Sequence, residues 1–434
     1  MAAVDSEAVR YRFFEASVGL FGLGLLAVTW RLWMPQELFP RVPLLRFALA
    51  APAVLDYLAL AAVVVGLLAM AARGVTRRGA SLRWLVPLGF GVAVVLDQHR
   101  LQPWAYQISA LAALFALCTA SRGLFWIRVL TIGIYGWSAV GKLDFQFVHT
   151  VGTQMIEAMV RLVGRAPENL SPEWVRGAAL GLPVGEAAVA ILLAWPHRNG
   201  PQRSGTWTRR IGVVLAVALH TTLILVLGPI GLGHQPGVLV WNLFFALQAV
   251  LLFWPTTRSS SELGVEGPPV RESEKRESSA AAGWIVVLML SLPVLERSGR
   301  FDHWLSWALY APHSSRATVY VTPEAVGRLP ESLAALVEQP SESDALELGM
   351  GRWVRVPIDR WSLATLGVPI YPQDRFQVGV AFAIAREAGL DREIRVVLRS
   401  ASNRFSGERE SAVLAGRPEL QRAAERFAFS AIPK

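Results

Sequence analysis

Long runs of this chain carry almost no charge. Windows of roughly 17–25 residues recur in which Asp, Glu, Lys and Arg are nearly absent, each long enough to cross ~30 Å of hydrocarbon as a helix. No water reaches that layer, so a spanning segment must satisfy its own backbone N–H and C=O groups, and a helix does so. The composition agrees. Of 434 residues, 53% are hydrophobic and 17% charged, where a soluble domain is about a quarter charged.

Apolar length and periodicity place spans at 13–32, 49–72, 83–97, 104–120, 124–143, 174–195, 211–229, 237–254 and 281–298, about nine in all. Arg10 and Arg12 precede the first run, and Trp30-Arg31-Leu32-Trp33 follows it in place of a small-residue cleavage site, so it reads as an uncleaved span. Arg73, Arg77, Arg78 and Arg83 gather after the second span. Arg198, Arg203, Arg209 and Arg210 gather after the sixth. Positive loops stay inside, which puts the N-terminus in the cytoplasm and the chain beyond residue 299 outside. Arg31, Arg41 and Arg46 in the first outer loop run against that rule.

The Ser-, Glu-, Arg- and Pro-rich stretch 256–280 reads as a mobile inner linker. Within 145–165, Phe147, Val148, Val151, Met155, Met159 and Leu162 recur at helical spacing, which predicts a helix lying on or dipping into the outer face. Several of the 16 tryptophans stand near span ends, namely Trp30, Trp33, Trp104, Trp174, Trp254, Trp304 and Trp307, as an interfacial belt would. From 313 onward the composition turns soluble. Thr318–Val321, Trp353–Pro357, Phe376–Ala383 and Glu393–Leu398 read as strands, and 415–427 as a helix. The predicted fold is an all-α polytopic membrane bundle over 1–310 with a small C-terminal α+β extracytoplasmic domain over 314–434.

The net charge of +9 sits in short loops between apolar runs, and no basic stripe interleaved with aromatics suggests nucleic acid. The lone Cys118 excludes an internal disulfide, a cysteine zinc cluster and a Cys-x-x-Cys pair. The Gly-rich turn 228–234, which ends in His234, follows no phosphate-binding pattern. No internal repeat supports an inverted-repeat transporter.

An ionisable group inside a span is costly, so each is a functional hypothesis. Lys142 ends the fifth span in a chain whose only other lysines are Lys275 and Lys434. Unlike arginine, a buried lysine can lose its proton and act as a base. Its bland reading is a snorkelling lysine paired with Asp144. His220 lies within the seventh span and Glu186 within the sixth. A lone span histidine is usually a hydrogen-bonded packing residue, and a neutral carboxyl bonded to a neighbouring helix is the favoured bland reading of Glu186. Asp97-Gln98-His99-Arg100-Leu101-Gln102-Pro103-Trp104 is a dense polar turn. Under the nine-span topology this turn, Lys142, the 228–237 turn and Phe301-Asp302-His303-Trp304 share the outer face.

Gly141-Lys142-Leu143-Asp144 follows an aromatic span and precedes an amphipathic helix, and His220 stands in a later span ahead of a Gly-rich turn. Together these resemble the membrane part of the vitamin K-dependent gamma-carboxylase superfamily, also called the horizontally transferred transmembrane (HTTM) domain, over roughly residues 10–255. The resemblance implies that Lys142 is a catalytic lysine base and His220 a further catalytic group. It implies that Asp97, Trp104, Tyr106 and Glu186 border a cofactor. That cofactor would be an isoprenoid quinone entering from the lipid. In the carboxylase, quinol oxygenation generates a base that removes a proton from a glutamate side chain before CO2 adds. This chain departs in two ways. Trp104 stands where the family has a histidine, and a domain of roughly 120 residues replaces the large substrate-presenting region. Both departures argue against protein glutamate carboxylation. No metal ligand set is assigned.

The reading is an HTTM-like protein of a bacterial inner membrane that binds an isoprenoid quinone or lipid near Lys142 and His220, with catalysis undecided. The alternative is a non-catalytic membrane anchor that displays its C-terminal domain to an extracytoplasmic protein partner.

Overall fold

The apolar runs form helices. A computed structural model describes residues 6–72, 81–195, 204–255, 272–349 and 352–434. Its long helices are α1 (Ser6–Val28), α2 (Val54–Ala71), α3 (Leu85–Leu96), α4 (Pro103–Leu117), α5 (Ala120–Lys142), α6 (Val151–Leu162), α7 (Pro172–Ala194), α8 (Ser204–Leu227), α9 (Pro236–Phe253) and α10 (Glu272–Ser291). Among the described residues, seven helices are long and apolar enough to cross a membrane, by length and composition. They lie in α1, α2, α5, α7, α8, α9 and the stretch Ala280–Ser298.

The expected third and fourth spans are shorter than predicted. The helices there have 12 and 15 residues, or ~18 and ~22 Å at 1.5 Å per residue. The polar turn 97–102 ends α3 early. Cys118 adopts an extended backbone and ends α4. The linker expected at 256–280 falls partly outside the described residues, at 256–271, while α10 begins inside it at Glu272.

Leu20, Leu58, Leu88, Ile191 and Val214 are among the large apolar side chains these helices turn outward. A surface of that kind is compatible with an integral membrane protein in contact with lipid. Inside, α1 packs against α2 and α9, α5 against α7 and α10, and α8 against α7 and α9. Small residues let backbones approach. A Cβ on Gly89 would stand 2.7 Å from the Ala59 carbonyl oxygen, and one on Gly66 would stand 2.6 Å from a Val86 methyl. Of the seven tryptophans expected in an interfacial belt, Trp30, Trp174 and Trp254 are exposed. Trp33, Trp104, Trp304 and Trp307 are buried in the core instead.

The amphipathic stretch after α5 is two helices, Phe145–His149 and α6, broken at Thr150. The apolar face of α6, with Met155, Ile156 and Ala158, packs on the bundle, Ile156 meeting Val175 and Ala179 of α7.

The C-terminal domain is a four-stranded antiparallel sheet with helices. Its elements are β1 (Arg316–Val321), β2 (Val354–Val356), α11 (Ile358–Leu366), α12 (Asp374–Glu387), β3 (Ile394–Arg399), β4 (Ser411–Ala415) and α13 (Arg417–Arg426), with strand order β2-β1-β3-β4. Val319 pairs with Val396 and Val356, and Val396 with Leu414. The strand expected at 376–383 is helix α12. It lies between the sheet and the bundle and buries Phe376 through Ala381 without interruption, so no helical stripe shows in its sequence. A Cβ on Gly379 would meet the Ala431 carbonyl oxygen at 2.7 Å and Val42 at 3.0 Å, which marks how closely α12 is held between the C-terminal tail and the bundle.

Candidate functional site

One face of α5 carries a ladder of polar groups. Thr131, Tyr135, Ser138 and Lys142 recur every three or four residues, so they share that face and all are buried. Lys142 Nζ lies 2.6 Å from Ser138 Oγ and 2.9 Å from both Glu186 Oε1 and Oε2. Three acceptors match its three hydrogens. The sequence suggested Asp144 as the partner. That carboxylate instead caps the Phe145–His149 helix, accepting from the backbone N–H groups of Gln146 and Phe147. Glu186 reaches Lys142 from α7, three residues past Pro183, which removes one backbone donor inside that helix.

His220 stands on α8 with both ring nitrogens engaged. Asn242 donates its amide N–H to the Val238 carbonyl, so its Oδ1 faces His220 Nδ1 at 2.9 Å. An amide oxygen only accepts, so Nδ1 carries the proton. Nε2 is then the acceptor, and the Tyr135 hydroxyl donates to it over 2.7 Å. The imidazole stacks on Phe245 with centroids 5.0 Å apart.

Lys142, Glu186, Ser138, Tyr135, His220 and Asn242 all line one cavity of about 50 Å³, otherwise walled by apolar side chains including Leu309 and Tyr310. One water needs ~10–15 Å³ on the same measure, so there is space for a small polar group. Beside the cavity a second polar chain joins three helices. Trp241 Nε1 donates to Gln107 Oε1, Gln107 Nε2 to Gln248 Oε1, and Gln248 Nε2 to Thr131 Oγ1.

The remaining candidates lie elsewhere. Asp97 accepts from the His99 backbone N–H. Trp104 meets Trp33 and Phe90 edge-on, and Tyr106 stacks on Trp307 at 4.9 Å. None of the three lines the cavity. The polar turn around them docks the C-terminal domain. Gln98 donates to the carbonyls of Pro43 and Ser430 and accepts from Arg375, while His99 Nε2 lies 3.0 Å from the Pro369 carbonyl. Burial pushes the His99 imidazole down to about 4, against the pull of that carbonyl. Arg100 is buried against Asp56, which also pairs with Arg41 at 3.2 Å.

Tyr135, Ser138 and Asn242 carried no expected role. The spacing of 135, 138 and 142 was the signal for the first two. A further group was hidden by sequence separation. Glu296, His303 and His313 place Glu296 Oε1, His303 Nδ1 and His313 Nε2 within 4.8 Å of one another, all largely buried. Arg404 of the C-terminal domain donates to Glu296 Oε2 over 2.6 Å and to the Val140 carbonyl on α5 over 3.2 Å.

No family model, no curated protein and no solved structure matches this chain.

Proposed function

We propose that this chain is a polytopic membrane protein of the HTTM and gamma-carboxylase kind, which takes the polar end of an isoprenoid quinone or lipid into the Lys142 cavity. The N-terminus is cytoplasmic, α3 and α4 complete nine crossings, and the C-terminal domain is extracytoplasmic. The observation that carries the reading is the buried Lys142–Glu186 pair facing an apolar cavity. Buried ion pairs are costly to assemble, and ionisable groups at membrane depth mark sites.

In an enzymatic form, Lys142 is the base. All three of its hydrogens are taken, so it first passes one to Glu186, 2.9 Å away, and the amine lone pair then turns to the cavity. His220 holds the Tyr135 hydroxyl in place and is a positioning residue.

The test is extraction of the detergent-purified protein with organic solvent, followed by mass spectrometry, on wild type, Lys142→Ala and His220→Ala. A stoichiometric quinone or lipid in wild type, lost in both variants, supports the site. Bulk lipid released equally from all three would sink it and leave the membrane-anchor reading.

A further inference from the structure

In the cluster just beyond α10, one contact of His313 stays unsatisfied whichever way its Nε2 is protonated. His313 Nε2 lies 2.5 Å from Glu296 Oε1 and 3.0 Å from Arg404 Nη2. A carboxylate oxygen only accepts and a guanidinium only donates. With a proton on Nε2, the ring faces the arginine donor. Without one, its lone pair faces the carboxylate oxygen. His303 Nδ1 presses on the same oxygen at 3.1 Å. His313 Nδ1 is buried with no partner among the described residues.

A cation between the three atoms removes the conflict. It binds the lone pairs of both imidazoles and Oε1, while Arg404 keeps Oε2 as an outer hydrogen bond of the sort that orients ligating carboxylates. We propose that Glu296, His303 and His313 form a binding site for a zinc-type divalent cation. Two imidazoles and one carboxylate suit such an ion, and three protein ligands leave a position for water. Ligand bonds of ~2.0–2.1 Å put neighbouring ligand atoms about 3.3 Å apart in a tetrahedron. His313 Nε2 therefore draws away from Oε1, now 2.5 Å off, while the two imidazole nitrogens, within 4.8 Å of each other, close to that spacing.

The chain between the two histidines is a strap. Trp307 and Tyr310 hold positive φ angles of 59° and 58°, a conformation that non-glycine residues adopt only when their surroundings impose it. Leu309 and Tyr310 line the Lys142 cavity. Gly141 lets the strap close on α5, since a Cβ there would stand 3.2 Å from Ala308 Cα. The ion fixes both ends of this strap and with it one wall of the cavity. The site goes beyond the ligand reading above and does not depend on it.

The test uses full-length protein in detergent. It is loaded with zinc or cobalt, stripped of loose ion on a chelating resin and analysed by elemental mass spectrometry and visible absorption. Wild type is expected to keep one zinc per chain and to show the d–d bands of low-symmetry cobalt. His149→Ala, which removes an exposed histidine, keeps both signals. His303→Ala and Glu296→Gln bind at least roughly 10–100-fold more weakly. Wild type that retains no zinc and gives no cobalt bands overturns the proposal, and so does undiminished binding in both ligand variants. The wild-type arm decides even where a variant misfolds.

Discussion

Lys142 and Glu186 meet symmetrically, Nζ standing 2.9 Å from each carboxylate oxygen, with side-chain exposures of 6% and 10%. The two residues come from different helices, α5 and α7, and their union brings Ser138 and the Tyr135–His220 pair to one cavity. Water screens little at this depth, so each charge depends on the other.

Removing one partner strands the other. Lys142→Met or Glu186→Leu alone is expected to cost about 3–5 kcal/mol, while the double variant costs clearly less than the sum. Thermal unfolding in detergent of the two singles and the double reads this coupling. Additive losses would mean that the two groups do not sense each other. Lys142→Arg keeps a cation for Glu186 but no base, so it should unfold near wild type.

His99 makes docking of the C-terminal domain sensitive to acid. Its folded value of about 4 lies below the unfolded ~6.5, so the neutral ring contributes stability above pH 6.5. That contribution falls as pH drops through the window from 6.5 to 4, because the unfolded chain takes up the proton first. The loss approaches the order of 3 kcal/mol at the acid end. The difference in unfolding midpoint between wild type and His99→Gln, followed from pH 7.5 to 4.5, should shrink on acidification. A difference constant with pH would show that His99 is not the titrating group.

Much of this fold was legible because a helix able to cross lipid must have a set length and an apolar surface. Lys142, Glu186 and His220 stood out as ionisable groups in apolar runs, and they share a cavity. Asp97, Trp104 and Tyr106 were read beside them from a sequence pattern, but the turn that holds Asp97 is occupied by Ser430, Pro369 and Arg375 from far along the chain, and Trp104 and Tyr106 on α4 pack against other aromatic rings. Helix α12 was hidden for a related reason. Both of its sides are buried, so its hydrophobic residues keep no period. Glu296, His303, His313 and Arg404 come from a helix end, a strap and a loop, a juxtaposition that no short-range spacing encodes.

Deleting residues 314–434 should therefore damage the bundle as well as the appended domain. Phe376, Trp361 and Val319 belong to the same apolar core as Phe39, Trp33 and Phe90. The tail adds backbone bonds from Ser430 N to the Leu44 carbonyl and from Lys434 N to the Arg41 carbonyl. Truncation takes Ser430 and Arg375 from Gln98, Pro369 from His99 and Arg404 from Glu296. It exposes apolar surface beside polar groups that lose part or all of their bonding, at about 1–3 kcal/mol for each group left buried and unpaired. Arg404 also accepts at its carbonyl from Phe145 N–H, so the start of the helix after Lys142 loses its tie. The truncated chain is expected to aggregate or to elute polydisperse on size exclusion in detergent, with a lowered unfolding temperature. A monodisperse product that unfolds at the wild-type temperature would mean that the domain rests on the bundle without bracing it, which is what a membrane anchor displaying an independent domain requires.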